Sequence, residues 1–499
     1  MTVPSTRLRV LGEGPVQTKA QYVLYWMVAQ RRPRRNFALE RATDWARELN
    51  LPLLILEPLR ADYRWASARL HKFLIEGMAA NAAYFASSCA TYYPYLEPKP
   101  GAGSDLLSKF AHRAALVVTD DHPGFFYPRM LAAAQTEVRV RFEAVDSNGL
   151  LPIALAGGRA FATAHSFRRF LQAELGVQLA HRPMEEPLLG LKLPRLRSLP
   201  AALRLQYPAM THAQLCNPDQ TLLSLAIDRS VSPVELEGGW IAGQWQLHRF
   251  VERKLGVYEE QRNHPDSKAT SGLSPYLHFG HISTDDVLHA IAEASKWPGL
   301  SDQAPKDGSR AGFWGMSPSS EAFMEQVVTW RELAFNTAAN LPGYEDYESL
   351  PEWARASLDA GASDPRPHIY DLPILEAGHT HDVVWNAAQA ELAREGRMHN
   401  YLRMVWGKKI LEWSESPRVA LAYMTHLNNK YALDGRDPSS TAGIMWTLGR
   451  YDRPWAPKRP IFGSVRYMSS DNARRKLKLE GYLAAFAPSR QLRLEEAAQ

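Results

Sequence analysis

Five short apolar runs, with stretches of helical period between them, constrain the first third of this chain more than any other feature. They are Tyr22–Met27 (YVLYWM), Pro52–Pro58 (PLLILEP), Thr91–Leu96, Ala114–Asp120 (AALVVTD) and Val138–Val145 (VRVRFEAV). Helical patterns fall at about Asn36–Asn50, Trp65–Tyr84, Asp105–Arg113 and Pro128–Gln135. Strands alternating with helices in this way predict a doubly wound α/β unit, with a parallel sheet covered on both faces. Ligands of such sheets bind beyond the carboxyl ends of the strands. No GxGxxG or GxxxxGK[ST] occurs here, so neither a dinucleotide fingerprint nor a P-loop is expected. Gly157-Gly158 reads as a turn. Arg31, Arg32, Arg34 and Arg35, which follow the first run, read as a solvated loop or as phosphate contacts.

From His181 to Asp219 six prolines interrupt any periodicity (Pro183, Pro187, Pro194, Pro200, Pro208, Pro218), as expected of an ordered linker. After Gly239 helical period dominates and strand patterns nearly vanish. The expected organisation is therefore an α/β domain over 1–180, a proline-rich linker over 181–235 and an all-α domain over 236–499. A chain of 499 residues has room for two or three full cores. There is no apolar run of transmembrane length, and MTVPSTRLRVLGEGP lacks the apolar segment of a secretory signal. Two distant cysteines, Cys89 and Cys216, suggest neither a disulfide framework nor a zinc site and fit a reducing cytoplasm. The net charge of +5 admits a polyanionic partner without requiring one.

Three stretches of the helical half carry chemistry. Ala269–His278 (ATSGLSPYLH) is rich in hydroxyls, contains a glycine and precedes a helix that starts near Ser283. It suits a phosphate or pyrophosphate, or equally an ordinary capped loop. Ser319–Asn336 (SSEAFMEQVVTWRELAFN) reads as a helix with polar residues set among apolar ones, either a cleft wall or a surface helix. Of the 14 tryptophans, Trp406 and Trp413 are seven residues apart, which is two turns and about 10 Å of helix. Trp385 lies on the preceding helical segment. Such a stripe is ordinarily core.

Taken in order, these stretches resemble the photolyase/cryptochrome flavoproteins, and most of all the class II cyclobutane pyrimidine dimer photolyases. The resemblance rests on VLYWMVAQRRPRRNFAL, TSGLSPYLHFGHIS, WREL at Trp330–Leu333, WNAAQ at Trp385–Gln389, and MHNYLRMVWGKKILEW with LNNKYALDGRDP and RPIFGSVRYM. It spans nearly the whole chain. It implies an antenna-type α/β domain, a linker, and a helical domain holding FAD. The implied activity is light-driven electron transfer to a pyrimidine dimer flipped out of DNA. It also implies a monomer that uses no metal and touches no membrane. An antenna chromophore is a further family option, a deazaflavin among the possibilities.

Carried onto this sequence, the resemblance assigns Tyr258, Thr270, Ser271, Leu273, Ser274, Arg331, Asn336 and Asp437 to FAD binding. Arg403 and Asp434 form the ion pair beside the flavin ring, and Asn428 lies near them. Trp406, Trp385 and Trp413 become an electron wire running towards the surface, in place of plain core. Trp330, Met404 and Trp446 line the lesion pocket. The basic stretch with Arg450, Arg453, Lys458, Arg459, Arg466, Arg474, Arg475, Lys476 and Lys478 contacts phosphates, or else forms a solvated face. Gln326 stands where the family usually has a glutamate that holds the dimer. Glutamine donates and accepts hydrogen bonds but cannot hold negative charge. Glu325, one step earlier, would point about 100° away on a regular helix. A light sensor or a repair enzyme of altered activity is the alternative reading.

Overall fold

The computed structural model describes residues 3–488. They form two compact units, interleaved along the chain. The first comprises Met1–Gly158, Leu171–Val251 and Gly272–Asp302; the second comprises Arg159–Phe170, Glu252–Ser271 and Gln303–Gln499. The linear boundaries at 180 and 235 remain a proposal about how the chain is organised.

In the first unit six strands form one sheet: β1 (Leu8–Glu13), β2 (Tyr22–Trp26), β3 (Leu53–Leu59), β4 (Thr91–Leu96), β5 (Ala114–Asp120) and β6 (Arg141–Val145), in the order β1-β6-β5-β2-β3-β4. The five expected strands are present and pair in parallel. The sixth, β1, is additional to them; it adds antiparallel to β6 at the sheet edge. LRVLGE buries only one of its six residues, so it lacks the continuous apolar run that marks the inner strands.

Alternation along β2 shows why the sheet is covered twice. Tyr22, Leu24 and Trp26 enter the core on one face, with Leu54, Leu56 and Phe110. Val23 and Tyr25 enter the other, with Leu53, Ile55 and Phe37. Helix α1 (Phe37–Leu49) is capped by Asn36, whose Oδ1 accepts from the amides of Ala38 and Leu39. The Asn36 amide donates in turn to Tyr25 Oη at 3.0 Å. Tyr25 donates to Asp120, a fully buried carboxylate that also accepts from the amides of Val28, Ala29 and Gln30 at 2.7–2.9 Å. Much of the YWM…N motif therefore locks the turn after β2.

The arginines of that motif correct the expectation of a solvated or phosphate-binding loop. Arg31, Arg32 and Arg35 are buried. Arg31 pairs with Glu57 at 2.9 Å, Arg32 donates to the Gly280 carbonyl at 3.0 Å, and Arg35 lies 3.2–3.3 Å from Asp285 and Asp286. Their charge is consumed within the unit. The proline-rich segment carries three short helices, Ala201–Gln206, His212–Cys216 and Pro218–Leu222, of which the last starts with its proline at N1.

The second unit is helical. Its main elements are α2 (Pro318–Met324), a π-helical turn over Glu325–Trp330, α3 (Arg331–Asn340), α4 (Val383–Glu395), α5 (Asn400–Trp413), α6 (Pro417–Tyr431), α7 (Pro438–Thr447) and α8 (Ser470–Lys476). Its core gathers Trp385, Trp406, Trp413, Leu402, Ile410, Met424, Leu427 and Met445. No helix of the described residues is long and apolar enough to cross a membrane.

Candidate functional site

The three indoles come together in the core of the helical unit. Each is at most 2% exposed. Trp385 and Trp406 lie parallel, 3° between planes with centroids 6.4 Å apart, and Trp385 meets Trp413 at 5.7 Å and 68°. Seven-residue spacing puts Trp406 and Trp413 on one face of α5, and α4 inserts Trp385 against both. Hydrogen bonds fix the rings. Trp385 Nε1 donates to the Trp406 carbonyl and Trp406 Nε1 donates to Gln389 Oε1, each at 3.0 Å. The Asn386 side chain bonds the backbone and hydroxyl of Thr380, and Asp382 caps α4 on the Trp385 amide. WNAAQ is thus the framework that seats two indoles. Trp413 ends the run inside the protein and not at its surface.

A polar patch is built by α5, α6 and the turn before α7. Arg403 and Asp434 face each other at 3.6 Å, with side chains 17% and 11% exposed. The Asn428 amide donates to the Gly435 carbonyl at 2.8 Å and to Asn429 Oδ1 and Ser440 Oγ at 3.0 Å each. Gly435 lies so close to α6 that a Cβ would fall 2.5 Å from the Asn428 carbonyl oxygen. Asp437 caps α7 by accepting from the Ser439 amide at 2.8 Å. Ser439 Oγ is buried without a hydrogen-bond partner among the described residues. A loose ion pair and an orphaned hydroxyl in a helical core suit the polar edge of a heterocyclic cofactor.

The other residues expected at a cofactor are dispersed in role. Tyr258 is buried edge-on to Phe323 at 5.1 Å, and burial raises its hydroxyl pKa. The Arg331 guanidinium lies 4.3 Å over the Phe335 ring. The Asn336 amide is engaged by the Arg159 carbonyl and the Phe161 amide. In the hydroxyl-rich stretch, Thr270 and Ser271 are half-buried in the second unit, where Lys254 Nζ lies 3.5 Å from the Thr270 carbonyl. Leu273 is buried and Ser274 exposed, both in the first unit, at the head of Ser274–His278.

A second aromatic group is partly open to solvent. Trp330 ends the π-helical turn and meets Tyr451 edge-on at 6.3 Å. Helix α3, which follows it, packs on α7, the helix of Trp446, and α7 packs on α5, the helix of Met404. Met404 Cε lies 3.7 Å from where a Cβ of Gly443 would project on α7. Two cations flank the Trp446 indole, Lys408 Nζ at 5.2 Å and the Arg466 guanidinium at 5.7 Å. Exposed Trp455 interleaves with them, 4.8 Å from Arg466 and 5.2 Å from Arg453. Arg453, Lys458 and Arg459 are exposed. Arg450 is not: it is 3% exposed and donates to the Tyr344 carbonyl and Ser349 Oγ, so it leaves the basic surface and holds the Tyr344–Ser349 loop.

The π-helical turn decides the Glu325 question. An i→i+5 turn holds one extra residue and rotates the residues after it. Glu325 is buried and ion-paired with Arg168, whose Nη1 also donates to the Gly308 carbonyl. Gln326 remains half-buried, and its amide makes no hydrogen bond among the described residues. Glu325 therefore cannot stand in for a carboxylate at position 326.

Lys408 escapes a reading of the sequence, because a lysine in WGKKILEW looks like a surface residue. It is fully buried, donates to the Thr447 carbonyl at 2.6 Å, and burial lowers its pKa to about 7. Among the described residues no cluster of three or more His, Cys, Asp or Glu could hold a metal ion.

This fold, an α/β sheet unit and a helical unit, is matched by solved structures. A bacterial class III photolyase from Agrobacterium tumefaciens matches with a TM-score of 0.64 at 18% identity, over 94% of this chain and 86% of that one. A cryptochrome from Synechocystis sp. PCC6803 matches with the same TM-score at 15% identity, over 93% and 88%. No family profile matches the chain. Curated relatives are nearer in sequence, and each is named a deoxyribodipyrimidine photo-lyase. That of Methanothermobacter thermautotrophicus is 31% identical over 96% of this chain and 98% of its own length. That of Potorous tridactylus is 30% identical over 97% and 85%. The chain belongs to the photolyase/cryptochrome family.

Proposed function

We propose that the protein is a class II, FAD-dependent photolyase that uses light to split cyclobutane pyrimidine dimers in DNA. The observation that carries this reading is the run of three buried indoles in which Trp385 contacts both Trp406 and Trp413. Bound FAD would supply light-driven one-electron chemistry, which no side chain of this protein provides alone. Arg403, Asp434 and Asn428 would face its ring, with Asp437 behind them at the head of α7. Thr270 and Ser271, with Tyr258, Arg331 and Asn336, would hold its phosphates and adenosine end. Trp406, Trp385 and Trp413 would carry electrons towards its ring from within the core of the helical unit.

On the substrate side, Trp330, Met404 and Trp446 stack against the extruded bases and restore part of the stacking lost on flipping. Gln326 donates from its amide to a pyrimidine carbonyl. Arg453, Lys458, Arg459 and Arg466 neutralise phosphates on either side without reading sequence. The protein acts as a cytoplasmic monomer. An antenna chromophore, a deazaflavin being one option, belongs to the same reading; the absorption spectrum of the purified protein decides it.

Blue light on the reduced, FAD-loaded protein with a dimer-containing oligonucleotide is expected to restore unmodified thymines. Bound DNA with fully reduced flavin and no restored thymine would overturn the reading. The second reading, a cryptochrome-like photoreceptor, predicts flavin photoreduction without affinity for the lesion. The absence of a carboxylate at Gln326 is the observation that favours it.

A further inference from the structure

Lys408 holds a titratable amine that the repair reading leaves unused. It projects from α5 next to Gly407, where α5 is pressed so closely on α7 that a Cβ at Gly407 would fall 2.7 Å from Thr447 Cγ2. The amine is sealed there, 0% exposed, and donates once, to the Thr447 carbonyl at 2.6 Å. Among the described residues no carboxylate comes within ion-pairing distance of it. A buried ammonium with one acceptor and no counterion is costly, and groups of this kind collect at functional sites. What it faces is the half-buried indole of Trp446, 5.2 Å from Nζ to the ring centroid.

Burial lowers the Lys408 pKa to about 7; Asp452 works against that fall and Arg466 adds to it. Helices α4, α6 and α8 also pack on α5 and bring no further charge to the amine. On α5 itself Arg403 faces Asp434 and Lys409 is paired with Glu412. Asp452 is half-buried, and its Oδ1 accepts from Trp455 Nε1 at 3.1 Å and from the Arg453 amide at 2.9 Å. Its Oδ2 is buried without a hydrogen-bond partner among the described residues. Arg466 lies 5.7 Å from the Trp446 ring and 4.8 Å from that of Trp455. The amine is therefore poised between its two protonation states at neutral pH, against the wall of the aromatic pocket.

We propose that Lys408 takes up a proton when damaged DNA docks against Trp446, and that its ammonium then stabilises the negative charge which repair places on the dimer. This presumes the light-driven repair reading above. A phosphate of the docked DNA meets Arg466 and cancels the charge that opposes protonation of Lys408. Docking also strips water from Trp446, so the polyanion acts on the amine with less screening. A proton from solvent adds to the Nζ lone pair and the amine becomes an ammonium; no other bond changes. Gln326 offers the dimer a hydrogen bond and no charge. With Arg466 neutralised by phosphate, the positive charge in this wall comes from Lys408 and reaches the lesion across the indole. Lys408 is a positioning residue, since it touches Trp446 and not the lesion.

The test is calorimetric titration of the FAD-loaded protein with a dimer-containing oligonucleotide, in the dark and in two buffers of unlike ionisation enthalpy. The native protein should take up most of a proton per complex at pH 8 and little at pH 6, where Lys408 is already charged. Lys408→Met and Lys408→Arg should lose that uptake. Repair per absorbed photon is then read at pH 8 with reduced flavin and saturating oligonucleotide. Lys408→Met should lose several-fold, and Lys408→Arg, whose charge is fixed, should regain it. A lysine that served only to fill space would give no such rescue. Equal proton uptake by the native protein and Lys408→Met overturns the first half of the proposal, and equal repair by the two overturns the second. A native protein that takes up the proton but restores no thymine overturns the repair reading and leaves the docking step standing.

Discussion

The helical unit uses tryptophan in two opposed settings. Trp385, Trp406 and Trp413 are sealed in the core, their edges and faces in contact, with both inner N–H groups hydrogen-bonded. Trp330 and Trp446 are half-buried on packed helices, and Trp446 has two basic groups, Lys408 and Arg466, within 6 Å of its ring. Cations over an indole face bind its electrons more tightly, so Trp446 is harder to oxidise than an indole without them. In the proposed reading the first group passes electrons and the second receives bases. The same residue type is assigned to relay or to contact by burial and neighbouring charge, not by spacing alone.

The largest effect is expected where the open group is anchored. Arg168→Met leaves Glu325 buried without its partner, a change that costs roughly 3–5 kcal/mol for a buried pair. Chemical unfolding should show that loss, and the double variant Arg168→Met/Glu325→Gln should recover most of it. An unchanged midpoint would mean that the π-helical turn is held by other contacts and that Trp330 does not depend on this pair.

Next comes the sealed group. Trp406→Phe removes the indole that bridges to Gln389 and should lower flavin photoreduction by an order of magnitude, leaving repair by chemically reduced protein intact. The substitution also leaves the buried Gln389 Oε1 without its donor, at about 1–3 kcal/mol of stability, so photoreduction is read on protein shown to be folded and loaded with flavin. Photoreduction at the native rate would place the relay elsewhere and reduce the stripe to core.

How far the sequence can be read follows the same division. The inner strands, α1 with its Asn36 cap and the indole stripe are legible, because burial on regular elements imposes a period of 2 or 3.6. Edge strand β1 is not legible, since a strand buried on one face for part of its length carries little signal. The arginines after β2 mislead because charge looks like solvent exposure. Only the fold shows that Glu57, Asp285 and Asp286 come within reach of them. Position 326 is legible as a departure from the family pattern. The π-helical turn that commits Glu325 to Arg168 depends on a partner 157 residues away and has no local signature. Lys408 is hidden for the same reason.

Lys408 also allows the cation beside Trp446 to be switched. Its pKa is lowered to about 7 by burial, whereas in the unfolded chain it keeps the ordinary lysine value of about 10.4. Between those values the unfolded state holds the extra proton, so stability rises with pH. Relative to Lys408→Met, the native protein should gain roughly 2 kcal/mol between pH 7 and pH 9 in urea unfolding. A flat difference would mean that the ammonium is solvated and that Trp446 is flanked by Arg466 alone.

The smallest effect concerns the surface around the open group. Arg459 is exposed, with its guanidinium 5.0 Å over the Tyr467 ring, and so is held in place without an ion pair. Each phosphate contact releases counterions, so removing one should lower the slope of log affinity against log salt by about 0.9 on duplex DNA. Arg459→Ala should do this equally for damaged and undamaged DNA, because a phosphate contact positions the duplex and carries no lesion information. Trp446→Ala should do the reverse, sparing undamaged DNA and weakening the lesion complex through lost stacking of about 1–3 kcal/mol. Loss of lesion preference in Arg459→Ala, or a shifted salt slope in Trp446→Ala, would mean that the aromatic pocket and the basic rim do not divide the work in this way.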